Sequence, residues 1–451
     1  MRHYLQTKLR KLTPFQLIVY YYFLTVSISS IFLSLPFAHK PGVHISVLDT
    51  IFVAASAVSV TGLSTINISE TYSTSGIFIL MLILQIGGIG IMSITTFFWL
   101  ILGKKIGLKQ RKLIMTDQNQ TNLSGLVKML KLILVLILMI ELSGALILGT
   151  YFLTYYSDWK DAYLHGLFAS VSATTNAGFD LTGQSLIPFA KDYFVQFINM
   201  ILITLGAIGF PVLLELKEFL LRKKNAPKFH FSLFTKITTS TYGILFVFGT
   251  IAIFLLEKDL FLKGKDWYDA FFYTTFQSNT TRSAGLLTAD INQFSSPTLL
   301  IMSGLMFIGA SPSSVGGGIR TTTFAIIVLF IIHFAKGNRN IKIFKREIHE
   351  MDVLKALAVF VIASFICIVS VILLSITEHQ SLLSIIFEVC SAFGTTGASL
   401  GITPDLSIFG KCLLIVLMFI GRVGIVSLMY MMGGRDQSNN YHYPKERLII
   451  G

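Results

Sequence analysis

The sequence predicts an all-α integral membrane protein of four parallel helix, pore-loop, helix repeats, with eight transmembrane helices around one central pore. Three observations carry that prediction. The 451 residues are 53% apolar and 13% charged, with a mean hydropathy of +0.71, which is more apolar area than a water-soluble domain can hide. Gly62, Gly178, Gly285 and Gly397 each close a short Ser/Thr-rich stretch, at intervals of 116, 107 and 112 residues, so the chain repeats at about a quarter of its length. The strongly basic loops fall between these repeats, so each repeat crosses the membrane an even number of times and all four face the same way. Copies in one orientation pack around an axis along the membrane normal.

The elements follow in order. The first repeat, 1–103, has apolar runs at 12–38 and 76–102, long enough for the roughly 20 residues that cross about 30 Å of hydrocarbon. Its first run lacks a small-residue cleavage site and reads as a retained helix. The second repeat, 104–224, has a run at 132–156 carrying Glu141, then 193–214. The third, 225–340, has 237–256 and two shorter pieces, 298–310 and 321–335, that read as one crossing interrupted in its middle. The fourth, 341–432, has 356–377 and 412–432, and 433–451 is left as a cytoplasmic tail.

Between the crossings lie 46–63, 158–179, 266–286 and 380–399, too short and too polar to span. Each is expected to enter from outside and return. The first half of each is a helix candidate: Asp158-Trp159-Lys160-Asp161 and Asp266-Trp267-Tyr268-Asp269 place acids where the macrodipole favours them and Trp at interface depth. The second half returns as non-helical backbone, which hydrocarbon forbids unless it is buried in protein or lines water.

Arg2, Lys8, Arg10 and Lys11, the stretch from Lys104 to Lys131, the stretch from Lys217 to Lys236, the stretch from Lys336 to Lys355, and Arg435, Lys445 and Arg447 hold 26 of the 36 basic residues. The positive-inside rule places them, and both chain ends, in the cytoplasm. The formal charge of +13 is then a topology signal and not a nucleic-acid footprint. The same loops also suit docking of an acidic partner. Cys367, Cys390 and Cys412 sit in apolar runs and read as packing residues.

Four non-helical returns meeting on one axis make a ring of carbonyls, the device that replaces an ion's hydration shell in potassium channels. Glycine suits that position because it accepts backbone angles that other residues resist. The expected filter is therefore Val60-Thr61-Gly62, Asn176-Ala177-Gly178, Ser283-Ala284-Gly285 and Thr395-Thr396-Gly397, with a potassium ion at their carbonyls. The third copy diverges most, with Asn279 and Thr275 where the others have Ser and Phe.

A second echo follows each filter stretch. Gly309 and Gly421 end identical Leu-Met-Phe-Ile-Gly pentapeptides, and Gly87 and Gly206 occupy nearly the same register. In the third repeat Gly309-Ala310-Ser311-Pro312-Ser313-Ser314-Val315-Gly316-Gly317-Gly318 replaces the short Gly421-Arg422-Val423-Gly424, an insertion of six residues. Pro312 and three successive glycines cannot continue a helix, so this segment is expected to lie across the pore as a gate. An extramembrane loop between two short helices is the other reading. Arg422 stands in an apolar run, where a guanidinium must face the interior and find acceptors; it is expected to reach carbonyls of the loop or Ser311, Ser313 and Ser314. A plain helix tether is its alternative role. Arg282 has two open readings, pairing with a carboxylate such as Asp290 or solvation. Glu141 reads as a shielded packing residue in preference to a proton relay.

No metal-ligand spacing and no nucleophile-and-base constellation stands out, and Gly316-Gly317-Gly318 lacks the Lys-Ser/Thr of a phosphate loop. An enzyme is not expected. The repeat pattern with one glycine per loop resembles the Trk/Ktr/HKT superfamily, and specifically the bacterial KtrB-type membrane subunit. That resemblance implies potassium uptake across the bacterial cell membrane through a channel-like pore. It also implies a homodimer seated on a cytoplasmic RCK-type, KtrA-like ring that binds ATP or ADP. No cofactor is expected on this chain itself, and whether sodium or a nucleotide triggers opening is left open. An ion-coupled secondary transporter of another solute is the alternative; it calls for paired mid-membrane carboxylates or inverted halves, and these repeats are parallel.

Overall fold

The computed structural model describes residues 14–90, 126–222, 229–338 and 340–432. The N-terminal basic residues, Lys104 to Lys112, Lys223, Lys224, Lys228, Arg339, the expected boundary at 103/104 and the 433–451 tail lie outside the described residues.

The described helices run α1 Pro14–Leu33, α2 Val47–Ser59, α3 Thr74–Ile89, α4 Leu126–Phe152, α5 Trp159–Thr174, α6 Tyr193–Ala207, α7 Phe210–Leu220 and α8 Leu233–Glu257. They continue as α9 Trp267–Thr280, α10 Ser296–Ile308, α11 Thr321–Ala335, α12 Glu350–Thr377, α13 Leu382–Phe393, α14 Ile408–Val423 and α15 Ile425–Met432. By length and composition, α1, α4, α8 and α12 can each cross a membrane, and α6 with α7 makes a fifth if the bent pair is one span. Their outward faces suit lipid. On α12 Val361, Phe365, Ile368, Ile372 and Ile376 are exposed, while Val359, Ala363, Cys367 and Leu374 face inward beside Ser370, two largely apolar stripes at helical spacing.

Each of α2, α5, α9 and α13 begins on a residue suited to capping. Ser46, Asp158 and Ser381 accept the N–H of Asp49, Lys160 and Ser384, and Asp266 stands at the same place before α9. Capping of this kind contributes about 1 kcal/mol and sets where each short helix starts. Trp159 and Trp267 stay exposed at those ends. The four short helices fall inside the segments expected to re-enter.

The apolar helices that follow them all stop short, which corrects the reading of 193–214 and 412–432 as unbroken. A bend of 106° separates α6 from α7, and α14 ends at Gly424. The break residues share one backbone conformation: Gly90 (φ 96, ψ 134), Gly209 (φ 102, ψ 133), Gly424 (φ 85, ψ 145) and Arg320 (φ 81, ψ 142). The insertion 309–320 parts α10 from α11. Among the described residues one element departs from an all-α chain, an antiparallel hairpin of Lys342–Ile343 with Arg346–Glu347. Phe344 (φ 50) and Lys345 (φ 61) make its two-residue turn, as hairpin twist requires, and buried Ile341 anchors it.

Because the ring is drawn from one chain, its first and last parts meet at a seam. Lys411 of α14 pairs with Asp49 of α2 at 2.9 Å, and the Tyr22 and Phe419 rings lie 4.7 Å apart.

Candidate functional site

Each short helix ends in a turn that reverses the chain. Two residues before the glycine the backbone is left-handed in all four loops: Val60 (φ 57), Asn176 (φ 53), Ser283 (φ 76) and Thr395 (φ 46). Each glycine is also at positive φ, between 69 and 94. A side-chain hydroxyl of the preceding helix braces each return. Ser56 and Ser391 accept the N–H of Gly62 and Gly397 at 3.0 and 3.1 Å. Ser172 and Thr280 donate to the carbonyls of Phe179 and Leu286, both at 2.6 Å. In the third loop the brace is Thr280, five residues before its glycine, and not Asn279 at six; that loop is one residue shorter, which is why its sequence falls out of step. Asn279 instead accepts from Thr204 and Tyr242 at 3.3 and 3.1 Å.

The four loops close on one another in chain order. A methyl group at Gly62 would strike the Ala177 carbonyl and lie 2.9 Å from the Gly178 Cα; one at Gly178 would lie 2.8 Å from the Ala284 oxygen. One at Gly285 would strike the Thr396 carbonyl and lie 3.0 Å from the Gly397 Cα, and one at Gly397 would strike the Thr61 carbonyl and lie 2.9 Å from the Gly62 Cα. The cycle returns to its start. Thr61, Ala177, Ala284 and Thr396 are wholly buried, and the short helices direct their C-terminal, negative dipole ends toward the same centre.

The insertion lies directly against this ring. Gly317 N–H donates to Ser283 Oγ at 3.1 Å, and the same Oγ lies 2.7 Å from the Thr395 carbonyl oxygen. A methyl on Gly316 would lie 2.7 Å from Ser283 Oγ, and one on Gly317 would lie 2.7 Å from Thr395 Cγ2. On the other side the segment satisfies the backbone groups freed by the α6/α7 break. Ser311 N and Val315 N donate to Ala207 O and Gly206 O at 3.1 and 3.3 Å, and Ser313 O accepts from Phe210 N at 2.8 Å. Pro312 O faces Gly209. Polar backbone can be buried here because these partners exist. Gly87, Gly206 and Gly421 pack on carbonyls at the ends of α2, α5 and α13, whereas Gly309 packs on Gly317 of the insertion itself.

Arg422 lies in the last turn of α14. Its guanidinium donates to the carbonyls of Val315, Gly87 and Gly88, so it joins the insertion to α3. For Arg282 neither expectation describes the structure. The side chain is wholly buried, its three nitrogens have no hydrogen-bond partner, and it lies 5.6 Å from the centre of the Tyr242 ring. Glu141 is buried and accepts from Gln85 of α3. Ser283, expected only as a filter backbone residue, also links the ring to the insertion, and Arg320, which the sequence reading gave no site role, donates its guanidinium to the Gly316 carbonyl. Aligning the break glycines would have exposed Arg320 as the odd member. Among the described residues no group of three or more His, Cys, Asp or Glu is placed to hold a metal.

A chain with this architecture is a cation-transport membrane protein: residues 2–441 match the TrkH family model, described as cation transport protein, and the chain belongs to that family, in the Trk/Ktr superfamily. It is 58% identical over 443 residues to Ktr system potassium uptake protein D of Bacillus subtilis, covering 98% of each chain. It is 35% identical to Ktr system potassium uptake protein B of the same organism, covering 98% of this chain and 97% of the relative. It is 34% identical to the potassium/sodium uptake protein NtpJ of Enterococcus hirae, covering 98% of each. The crystal structure of the potassium transporter TrkH from Vibrio parahaemolyticus shares the fold with a TM-score of 0.73 at 20% identity, covering 94% of this chain and 86% of that one.

Proposed function

We propose that this chain is the pore-forming membrane subunit of a Ktr-type potassium uptake system. Potassium enters down its electrochemical gradient, which favours a monovalent cation by about 2.3 kcal/mol per 100 mV. The filter is the set of four triplets ending in Gly62, Gly178, Gly285 and Gly397, and the observation that carries this reading is their closed cycle of glycine against neighbouring carbonyl. The insertion 309–319 with Arg422 is the gate. Supporting that role are its links to the Ser283 loop and to the helix breaks beside it. The chain is organised as four repeats at 1–103, 104–224, 225–340 and 341–432 with a tail at 433–451, crossing eight times, both ends cytoplasmic. It works as a homodimer on a cytoplasmic nucleotide-binding ring; the word system in the relatives' names supports a partner subunit.

The test is growth of a potassium-uptake-deficient bacterium at low potassium. The wild-type chain with a regulatory partner should restore growth, and Gly285→Ser should not. Failure of the wild type both alone and with a partner overturns the proposal.

A further inference from the structure

Gly209 and Gly424 break two of the described apolar helices and Gly90 ends a third, whereas the fourth resumes after an arginine. At φ 81 and ψ 142, Arg320 holds a backbone conformation that L-residues avoid and that persists only when the surroundings enforce it. Gly90, Gly209 and Gly424 occupy the same conformation without that strain. An arginine there needs a reason, and its side chain supplies one. Nη1 donates to the Gly316 carbonyl and Nη2 to the Arg422 carbonyl at 3.5 Å. Arg422 in turn donates to Val315. Two successive carbonyls of the insertion are thus gripped by two guanidiniums, one from the facing helix and one from the insertion's own exit. The Arg422 carbonyl belongs to the last turn of α14, where helix carbonyls lack internal partners, so Arg320 also fastens the end of that helix to the loop. Its own N–H donates to Ile308 O at 3.0 Å, tying the exit of the insertion to its entry.

We infer that Arg320 is a second positioning residue of the gate, a latch that keeps the insertion closed across the pore, retained at the expense of backbone strain. The inference rests on the gating role proposed for 309–319 and Arg422. It also places two positive charges beside the path of a cation, and the latch and the electrostatic barrier act in the same direction.

The decisive variant is Arg320→Gly, because it removes the latch and the strain together. In proteoliposomes without the regulatory partner, its basal potassium flux should rise about tenfold, the effect of one charge-assisted hydrogen bond on a two-state equilibrium. Its thermal unfolding midpoint should equal or exceed that of the wild type, and its potassium-to-sodium flux ratio should be unchanged. Arg320→Ala should leak equally but unfold earlier, since the strain remains, and Arg320→Lys should leak less than either. If Arg320→Gly gains stability with wild-type basal flux while Arg422→Ala leaks, the latch is overturned and the gate stands. If neither variant leaks, the gate reading falls and the latch with it. A flux rise accompanied by lost ion preference would mean a damaged filter and would also overturn the latch.

Discussion

The ring of loops and the layer of helix breaks beside it are drawn from the same four stretches of chain, yet they treat sequence oppositely. In the ring, Val60, Asn176, Ser283 and Thr395 are an aliphatic, an amide and two hydroxyl side chains, yet all adopt the same left-handed backbone. In the layer, three of the helices stop at bare glycines, while the fourth carries the insertion with Ser311, Ser313 and Ser314 and closes on an arginine. Where carbonyls do the work, side chains are free to vary so long as the backbone keeps its shape. In the layer of breaks, one copy has been loaded with side chains and the others left plain.

The largest effects expected are in the ring, and they should be unequal. Gly285→Ser and Gly397→Ser drive a Cβ into a neighbouring carbonyl, and each should cut potassium flux by about 100-fold, as overpacking of a few kcal/mol implies. Gly178→Ser has more room, its nearest atom lying at 2.8 Å, and should cost the least. Equal loss at all four positions, measured as potassium influx in vesicles, would break the idea that neighbour packing shapes the ring. Next comes Arg422→Ala, expected to raise basal flux about tenfold by releasing Val315, Gly87 and Gly88. Unchanged flux and unchanged regulation would remove Arg422 from the layer's function.

Ser283→Ala probes a side chain shared by both regions. Loss of its links to Gly317 and Thr395, about 1 kcal/mol of coupling, should raise basal flux several-fold and also blur the potassium-to-sodium ratio. A change in only one of the two would separate the regions. The smallest effect lies at the outer rim. Glu378, just past α12, accepts from Ser407 N–H and hydroxyl at the start of α14. Burial alone would raise its carboxyl, but those bonds and Thr377 outweigh it and hold it below the ordinary range. A lowered carboxylate contributes stability above its unfolded pKa of about 4.3 and loses it as pH falls through the folded value. Glu378→Gln should therefore lower the stability at pH 7 by about 1 kcal/mol, with the difference from wild type shrinking as pH falls through the lowered folded value.

The four short helices and the glycine triplets were legible because polarity, caps and spacing repeat in the sequence. The breaks were not. Apolar residues run straight through Gly209 and Gly424, and hydropathy cannot see a bend; Pro211, second in α7, was the local hint. The register slip of the third loop also hid, since Asn279 and Thr280 are adjacent polar residues and only the bond to Leu286 tells which one braces. Arg282 defied both of its readings because a sequence cannot say that a guanidinium is buried against a tyrosine ring and lacks an acceptor.

The seam between Asp49 and Lys411 joins residues 362 positions apart. Every other neighbour in the ring is made by consecutive stretches of chain, so the first three can associate as they are synthesised. The last cannot. Gly397 against Thr61 and Arg422 against Gly87 must wait for the final quarter to arrive. Until then the partial ring has an open side, and a truncated chain holds neither a complete carbonyl cage nor a fastened barrier. Completion of the carbonyl ring and fastening of the insertion through Arg422 are thus the same late event.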